Sequence, residues 1–180
     1  MDRIAKFEKV SYNEFKKELN KASEFGFYLP DDEIEKYYEN IQLPTRSTKG
    51  SAGYDFINPI SNIDLFKSHH VTIPTGIRCK IDDGWALYLV PRSGLGFKYK
   101  VTLSNTIGVI DSDYYNADNE GHILVKIVHE GLIGSVTPLT IKTGDKFCQG
   151  VFLPYGITLD DDADGIRTGG FGSTDRKETD

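Results

Sequence analysis

Two short amphipathic helices are predicted at the start of the chain. Apolar side chains recur every three or four positions from Tyr12 to Ala22 and again from Ile34 to Ile41, which is the period of one helix face. We expect both helices to pack on the main body of the protein or on a neighbouring subunit. The candidate N-caps are Ser11, with Glu14 three residues later as in a capping box, and Asp31 or Asp32.

From Gln42 onward, short apolar segments replace the helical spacing. Gly, Pro, Asn and Asp interrupt them every eight to twelve residues, a rhythm typical of an all-β sandwich or barrel. A small helix fits around Leu95 to Tyr99. The clearest strand candidates are Val71–Ile73, Ile77–Ile81, Trp85–Val90, Ile123–Val128, Leu139–Ile141 and Cys148–Leu153.

The end of the chain differs from both preceding parts. An acidic run from Asp160 to Asp164, interpreted as a solvated linker, precedes a glycine-rich stretch with a single phenylalanine. Such a segment cannot build a core, so we expect a flexible arm. We therefore divide the chain into a helical extension (1–41), a β core (42–156) and a C-terminal arm (157–180).

Composition and charge narrow the class of protein. The chain has 180 residues and a formal charge of −6, which argues against a nucleic-acid-coating surface. We find no signal peptide and no membrane-spanning stretch, so we expect a soluble cytoplasmic protein that binds neither nucleic acid nor membrane. Cys79 and Cys148 are expected to be buried, reduced thiols. The four histidines are expected at the surface.

Five polar and glycine-rich clusters interrupt the β pattern. An arginine fork, a serine hydroxyl and a glycine amide in PRSGLG can converge on an anion, and a helix starting just after the serine would add free amides. Each cluster alone has an ordinary explanation as a turn, an exposed strand residue or a flexible tail. The clusters are SAGYDF with Asp55, PRSGLG with Arg92, Ser93 and Gly94, NTIGVIDSDY with Asp111, KFCQG with Gln149, and RTGGFGST near the C-terminus.

Carboxylates in two of these clusters fit metal-assisted chemistry. Asp111 and Asp113 are two residues apart, so on an extended backbone they would share one face. Magnesium binds through few carboxylates, keeps several waters and fills its shell with substrate phosphates. Asp55 and Asp111 suit that chemistry, and the residues alone do not name a substrate.

The five clusters, in this order and spacing, resemble the motifs of the trimeric dUTP diphosphatases (dUTPases). AGYDF, PRSGLG, NTIGVIDSDY, KFCQG and RTGGFGSTD match the five motifs in turn, over about Leu43 to Asp175. The resemblance implies a jelly-roll or distorted β-barrel subunit in a homotrimer with active sites shared between subunits. It also implies Mg2+-dependent hydrolysis of dUTP to dUMP and pyrophosphate, which limits uracil incorporation into DNA and supplies dUMP.

The resemblance also implies a role for each matching residue. Asp111 would be the base for the water that attacks the α-phosphorus, and Asp55 would hold magnesium through water. Tyr114 would pack under the deoxyribose and exclude a 2′-hydroxyl, and the arm would close from another subunit with Phe171 stacked on uracil. The remaining substrate-binding residues would be Arg92, Ser93, Gly94 and Gln149 beside the phosphates, Asn105, Gly108, Val109 and Ile110 around uracil, and Arg167, Gly172, Ser173 and Thr174 from the arm.

The chain departs from the family pattern in several places. Residues 115–120 lengthen the hairpin after Tyr114, Arg167 lies one residue closer to Phe171 than is common, and Asp175 replaces a glycine. The N-terminal helices also lie outside the family core. A virus or phage enzyme, acting in the host cytoplasm, would fit these additions.

Two alternatives remain open. The first is a deoxycytidine triphosphate deaminase, which would need catalytic Arg and Glu residues where this chain has Gly94 to Phe97. The second is a regulatory dUTPase-like trimer that binds a protein partner in a nucleotide-dependent way, through the N-terminal helices or residues 115–120.

Overall fold

Antiparallel strands make up most of the secondary structure. The computed structural model describes residues 2–22, 29–131, 138–167 and 169. The strands are β1 (Ala5–Lys9), β2 (Thr45–Arg46), β3 (Tyr54–Ile57), β4 (Ile63–Leu65), β5 (His70–Pro74), β6 (Ile77–Ile81), β7 (Trp85–Pro91), β8 (Val101–Leu103), β9 (Gly108–Ile110), β10 (Leu124–His129), β11 (Leu139–Ile141) and β12 (Lys146–Pro154). The helices are α1 (Tyr12–Ala22), α2 (Asp31–Glu39), α3 (Ser93–Tyr99) and a 3-10 helix (Ser112–Asn116).

The largest sheet has five strands in the order β2-β3-β12-β7-β9, and a three-stranded sheet has the order β5-β10-β8. Two further pairs, β1 with β6 and β4 with β11, complete the framework. Buried residues alternate with exposed ones along β4, β8 and β9, because successive strand residues point to opposite faces. The predicted all-β, jelly-roll-like fold is confirmed, as are the six predicted strands.

Strand β1 was not predicted from the sequence. It pairs with β6, and Phe7 lies opposite Cys79. The Phe7 ring packs against the rings of Tyr54 and Phe56 at centroid distances of 5.4 and 5.8 Å. Residues 5–9 are therefore part of the β framework, and only α1 and α2 form the predicted helical addition.

The two predicted helices are confirmed, but their caps differ from the prediction. The Ser11 hydroxyl accepts a hydrogen bond from the Glu14 amide at 3.2 Å, as expected of an N-cap. Glu14 does not return the bond, because Glu120 accepts from the Ser11 amide at 2.8 Å instead. The aspartate cap of α2 is wrong, since Pro30 precedes the helix without a side-chain cap and Asp31 is its first residue.

Gly76 allows the helices to dock on the β framework. Its φ of +70° is a backbone conformation that glycine tolerates. A Cβ atom there would lie 2.2 Å from Ile41 Cδ1 and 3.3 Å from Phe15 Cδ2. Phe15, Ile34 and Ile41 are buried in the same core as the strands, so the helices pack on the main body as predicted.

Cysteines and histidines follow the prediction only in part. Cys79 and Cys148 are buried and free, and burial raises the pKa of each thiol to about 12. The surface position predicted for all four histidines is wrong for His122 and His129, which are 0% and 8% exposed. Each has a polar partner in the interior, since His122 Nε2 accepts from the Gly76 amide and His129 Nδ1 lies 3.3 Å from the Leu65 carbonyl oxygen. Within the described ranges, no helix is long and apolar enough to cross a membrane.

Candidate active site

Asp111 stands where the edge strand β9 ends and the 3-10 helix begins. Ile110 pairs with Leu87 of β7, and Asp111 follows with an extended backbone as the residue before the helix. Asp113 lies inside the helix, so the prediction that both carboxylates project from one extended strand is wrong. They still converge, because Arg167 Nη1 donates to Asp111 Oδ2 at 2.7 Å and to Asp113 Oδ1 at 3.0 Å.

A pocket of about 580 Å³ opens beside these carboxylates. β9 forms one of its walls, and Gly108 brings the backbone against Leu89, since a Cβ on Gly108 would lie 3.1 Å from Leu89 Cβ. Thr72, Ser104 and Lys126 also line the pocket, and no sequence signal identified them. The predicted residues that the lining brings together are Asn105, Gly108, Val109, Ile110, Tyr114 and Arg167. Asp111 and these six residues together are called the Asp111 cluster.

Tyr114 presents a fixed ring to this pocket. The residue is only 3% exposed, and its hydroxyl donates to the His122 carbonyl oxygen at 2.8 Å. The Arg167 guanidinium lies 5.2 Å from the ring centroid. Burial raises the pKa of the phenol, which therefore remains a neutral hydrogen-bonding group.

A second group of predicted residues lies along β12 and the strands on either side of it, β3 and β7. Gln149 of β12 lies opposite Asp55 of β3, and its Nε2 donates to Asp55 Oδ1 at 2.9 Å. Gly53 leaves room for this contact, because a Cβ there would lie 3.2 Å from Gln149 Cδ. Arg92, Ser93 and Gly94 follow β7 at the start of α3 and are exposed. We call these five residues, Asp55, Arg92, Ser93, Gly94 and Gln149, the Arg92 cluster.

Lys146 neutralises Asp55, a contact that the sequence analysis missed. Asp55 Oδ2 accepts from Lys146 Nζ and from Ser47 Oγ, both at 2.7 Å. Burial opposes ionisation of this carboxyl, but the bonds from Lys146, Gln149 and Ser47 outweigh it and hold its pKa at about 2. Lys146 and Gln149 are three residues apart and would face opposite ways on a regular strand. A register shift between Lys146 and Cys148 brings both to Asp55.

Asp111 and Arg92 lie at different positions along β7, although Gly108 and Gln149 pair with the neighbouring residues Leu89 and Val90. Asp111 follows the residue paired with Leu87, whereas Arg92 follows Pro91 at the other end of the strand. Five residues of extended chain separate Leu87 from Arg92, which is roughly 17 Å at about 3.3 Å per residue. Within one chain, Asp111 and Arg92 are therefore separated along the strand.

The side chains described do not fit a magnesium ion held by the protein alone. Over the described ranges, no group of three or more His, Cys, Asp or Glu side chains has metal-binding geometry. Asp55 is 2% exposed, and both of its oxygens already accept hydrogen bonds. The predicted contact of Asp55 with magnesium runs through water and stays a prediction.

The Lys146–Asp55 pair predicts a pH-dependent stability. We expect Lys146→Met to lower the free energy of unfolding at pH 7 by about 1.5–3 kcal/mol, the range for a hydrogen bond to a charged group. A carboxyl whose folded pKa is depressed stabilises the fold above its unfolded pKa and loses that contribution as pH falls through the folded value. With a folded pKa of about 2, the difference between the two proteins should shrink from about pH 4 to pH 2.

Urea unfolding at a fixed protein concentration from pH 7 to pH 2.5 measures this difference. Lys142→Met is the matched control, because Lys142 is an exposed lysine shortly before β12. A deficit for Lys146→Met that stays constant down to the lowest pH would show that the pair does not carry the effect.

Phe171, Gly172, Ser173 and Thr174 lie outside the described residues. Arg167 does lie within them, and it contacts Asp111 of its own chain. The prediction that the arm closes on another subunit therefore stays a prediction.

The structure is that of a β protein with a carboxylate, Asp111, beside a pocket, and its sequence and fold are similar to those of known proteins. The sequence profile of the dUTPase family matches residues 39–175. A deoxyuridine 5′-triphosphate nucleotidohydrolase of Lactococcus lactis subsp. lactis is 37% identical over 147 residues, which cover 79% of this chain and 95% of the relative. The chain therefore belongs to the dUTPase family, the dUTP diphosphatases.

Solved structures agree with the family assignment. The crystal structure of a dUTPase from Streptococcus mutans is 35% identical and has a TM-score of 0.57, covering 67% of this chain and 90% of that chain. A mutant of the phage 80α dUTPase has a TM-score of 0.59 at 18% identity and covers 96% of this chain and 99% of that chain. The second likeness concerns the fold alone, and it extends over almost the whole chain.

Proposed function

We propose that this protein hydrolyses dUTP to dUMP and pyrophosphate, with Asp111 as the general base. Membership of the dUTPase family supports the reaction. The observation that carries the role of Asp111 is its place at the end of β9, beside a pocket lined by the backbone of Gly108–Ile110 and the ring of Tyr114. The Asp111 carboxylate takes a proton from water, whose oxygen attacks the α-phosphorus, and the bond to the bridging oxygen breaks to release pyrophosphate.

Recognition of uracil is assigned to the backbone of β9. Among the described strands, β9 is the last in the five-stranded sheet and pairs with β7, so the backbone groups on its other side are available to a ligand. Main-chain donors and acceptors can pair with the polar edge of a pyrimidine. Asn105 lines the same pocket and would hold the hairpin or the base.

Selection of deoxyribose is assigned to Tyr114. Its ring lies in the pocket lining and is fixed by the hydroxyl bond to His122. A side chain so held cannot retreat to admit a 2′-hydroxyl, and steric exclusion of this kind favours dUTP over UTP.

The separation of Asp111 and Arg92 along β7 supports an active site shared between subunits. Arg92, Ser93 and Gly94 of one subunit would bind the phosphates of a nucleotide whose base lies in the Asp111 cluster of another. Gln149 would assist from β12. A closed homotrimer repeats the same interface and so creates equivalent composite sites.

The arm would complete the site after substrate binds. Arg167 belongs to the described part of the arm, and it lines the pocket next to Asp111. When a triphosphate arrives, Arg167 is proposed to move to the phosphates, which frees Asp111 to accept a proton. Phe171 would cover the uracil, while Gly172, Ser173 and Thr174 would contact phosphate, and closure would exclude water.

Magnesium is proposed to arrive with the substrate. Asp55 is buried and paired with Lys146, so it would contact the ion only through water, whereas a triphosphate supplies several oxygens directly. Bound to these, the ion would offset the charge that develops on the leaving pyrophosphate. Asp55 would then act on the Arg92 cluster by holding Gln149 and Lys146. A protein partner for the N-terminal helices or residues 115–120 stays a prediction.

Pyrophosphate release from dUTP, UTP, dTTP and dCTP tests the proposed function. With magnesium present, we expect rapid turnover of dUTP and little of the other three. Turnover of UTP comparable to that of dUTP would contradict the role of Tyr114, and deamination of dCTP without pyrophosphate release would support the deaminase alternative. Omitting magnesium and adding a chelator gives the metal dependence in the same assay.

A further inference from the structure

Two departures from the family pattern, the N-terminal segment and residues 115–120, lie against each other in the structure. Glu120 Oε2 accepts from the Ser11 amide at 2.8 Å, and Glu120 Oε1 accepts from the Ser11 hydroxyl at 2.6 Å. A carboxylate distant in sequence thus takes the part that Glu14 would play in a capping box. The end of the 115–120 segment is thereby tied to the first turn of α1.

The beginning of the same segment is tied to β1. The Tyr115 hydroxyl donates to Glu8 Oε2 at 2.6 Å, and Arg78 of β6 donates to the same oxygen at 3.2 Å. The Arg78 guanidinium also lies 4.4 Å from the centroid of the Tyr115 ring, which is the geometry of a cation–π contact. Both ends of the segment are therefore anchored on the N-terminal part of the chain.

The inner side of the segment holds the phenol of Tyr114. Asn119 Nδ2 donates to the Tyr114 hydroxyl oxygen at 2.8 Å and to the His122 carbonyl oxygen at 3.3 Å. The Tyr114 hydroxyl donates to the same carbonyl at 2.8 Å. These three bonds close a triangle, so neither the phenol nor the amide can rotate without breaking at least one of them.

His122 gives this triangle a fixed base. Its ring is fully buried, and burial holds its pKa at about 3. Because Nε2 accepts from the Gly76 amide at 2.9 Å, the proton of the neutral ring is on Nδ1, which lies 4.0 Å from Glu14 Oε1 of α1. The ring is thus enclosed between the β5–β6 turn and the first turn of α1.

Gly121 makes the chain reversal between Asn119 and His122 possible. Its φ is +70°, and a Cβ there would lie 2.7 Å from the Tyr114 carbonyl oxygen and 2.8 Å from Tyr115 Cα. Both of these neighbours are backbone atoms, which cannot move aside as a flexible side chain would. The turn is therefore closed tightly against Tyr114.

We propose that residues 115–120, here called the brace, position the ring of Tyr114 in the nucleotide pocket, with Asn119 as the positioning residue. The proposal rests on the proposed function, since it assigns the sugar selectivity of that site to contacts outside the pocket. The N-terminal strand and α1 hold the brace from outside, and Asn119 transmits this support to the phenol. Selectivity for deoxyribose thus depends on residues that do not touch the substrate.

Asn119→Ala tests the role of the brace, with Asn116→Ala as the control. Asn116 is an exposed asparagine of the same segment, and its replacement should change neither the selectivity for dUTP over UTP nor the hydrogen exchange of the segment. For Asn119→Ala we expect the ratio of kcat/KM for dUTP to that for UTP to fall about tenfold, as for the loss of the hydrogen bond that holds the Tyr114 phenol. The change should come mainly from improved turnover of UTP, while kcat for dUTP stays within about threefold.

Hydrogen exchange without nucleotide tests the brace independently of the proposed function. Hydrogen exchange of residues 114–122 should be faster in Asn119→Ala and in Tyr115→Phe, which loses only the hydroxyl that contacts Glu8. If the wild type does not hydrolyse dUTP, the proposed function fails, while the exchange result still tests the structural part of the brace.

Three outcomes decide the proposal. Faster exchange together with lower selectivity supports it. Faster exchange with unchanged selectivity overturns the positioning role, because the brace would then be structural only. Exchange equal to that of Asn116→Ala overturns the brace itself. Tyr115→Phe keeps the buried face of the turn intact and remains informative if Asn119→Ala does not fold.

Discussion

Asp111→Asn is expected to lower kcat for dUTP by about three orders of magnitude, within the range for removal of a general base. Asparagine preserves the shape of the side chain and can still accept a hydrogen bond from Arg167, but it cannot take a proton from water at neutral pH. Binding of dUTP should survive, since the uracil and sugar contacts lie elsewhere in the pocket. Pyrophosphate release and calorimetric titration with dUTP measure the two effects separately.

Asp113→Asn is the matched control for this variant. Both carboxylates accept from the same Arg167 guanidinium, at 2.7 and 3.0 Å. Each substitution therefore removes one of the two charges that hold Arg167, and only one removes the proposed base. We expect Asp113→Asn to remain within about tenfold of the wild type, by analogy with the modest energies of exposed ion pairs. Equal losses in the two variants would assign the effect to Arg167 instead of to a base.

The contact between Arg167 and Asp111 also suggests how substrate binding could expose the base. In the structure the Arg167 guanidinium donates to one carboxylate oxygen of Asp111 at 2.7 Å. Movement of Arg167 to the phosphates would remove the cation and place it where negative charge is concentrated. One side chain would then link arrival of the triphosphate to exposure of the base.

The β framework was predictable because its signals are local. Short apolar runs bounded by turn residues identified β5, β6, β7, β10, β11 and β12. β1 was not predicted because AKFEK mixes charged and apolar residues in only five positions. Its burial depends on the packing of Phe7 against rings that are distant in sequence. Its position follows from tertiary contacts, which the local pattern does not contain.

The same distinction applies to the candidate site. Asp111, Tyr114 and the β9 backbone are contiguous in sequence, so one motif identified residues that the fold also brings together. Lys146 reaches Asp55 only through the register shift in β12, which no spacing rule anticipates. The cap of α1 is a further example, because the glutamate that completes it is 109 residues away from Ser11.

Because Asp111 and Arg92 are separated along β7, we expect two inactive variants to restore activity when they are combined in mixed trimers. Asp111→Asn and Arg92→Ala chains should each form inactive or nearly inactive homotrimers, since every site lacks its base or its phosphate contact. Heterotrimers that contain both chains should regain about a third of wild-type activity. In a closed three-fold ring, one of the three interfaces then joins an intact Asp111 to an intact Arg92.

Coexpression of differently tagged chains and two successive affinity steps would isolate these heterotrimers. Heterotrimers assembled from two differently tagged Asp111→Asn chains serve as the control and should stay inactive, which excludes contamination by wild-type enzyme. If the base and Arg92 instead acted within one chain, no mixture of the two variants could restore a complete site. Activity at the control level in purified mixed trimers would therefore contradict a shared active site, even though roughly 17 Å of strand separates Asp111 from Arg92 in one chain.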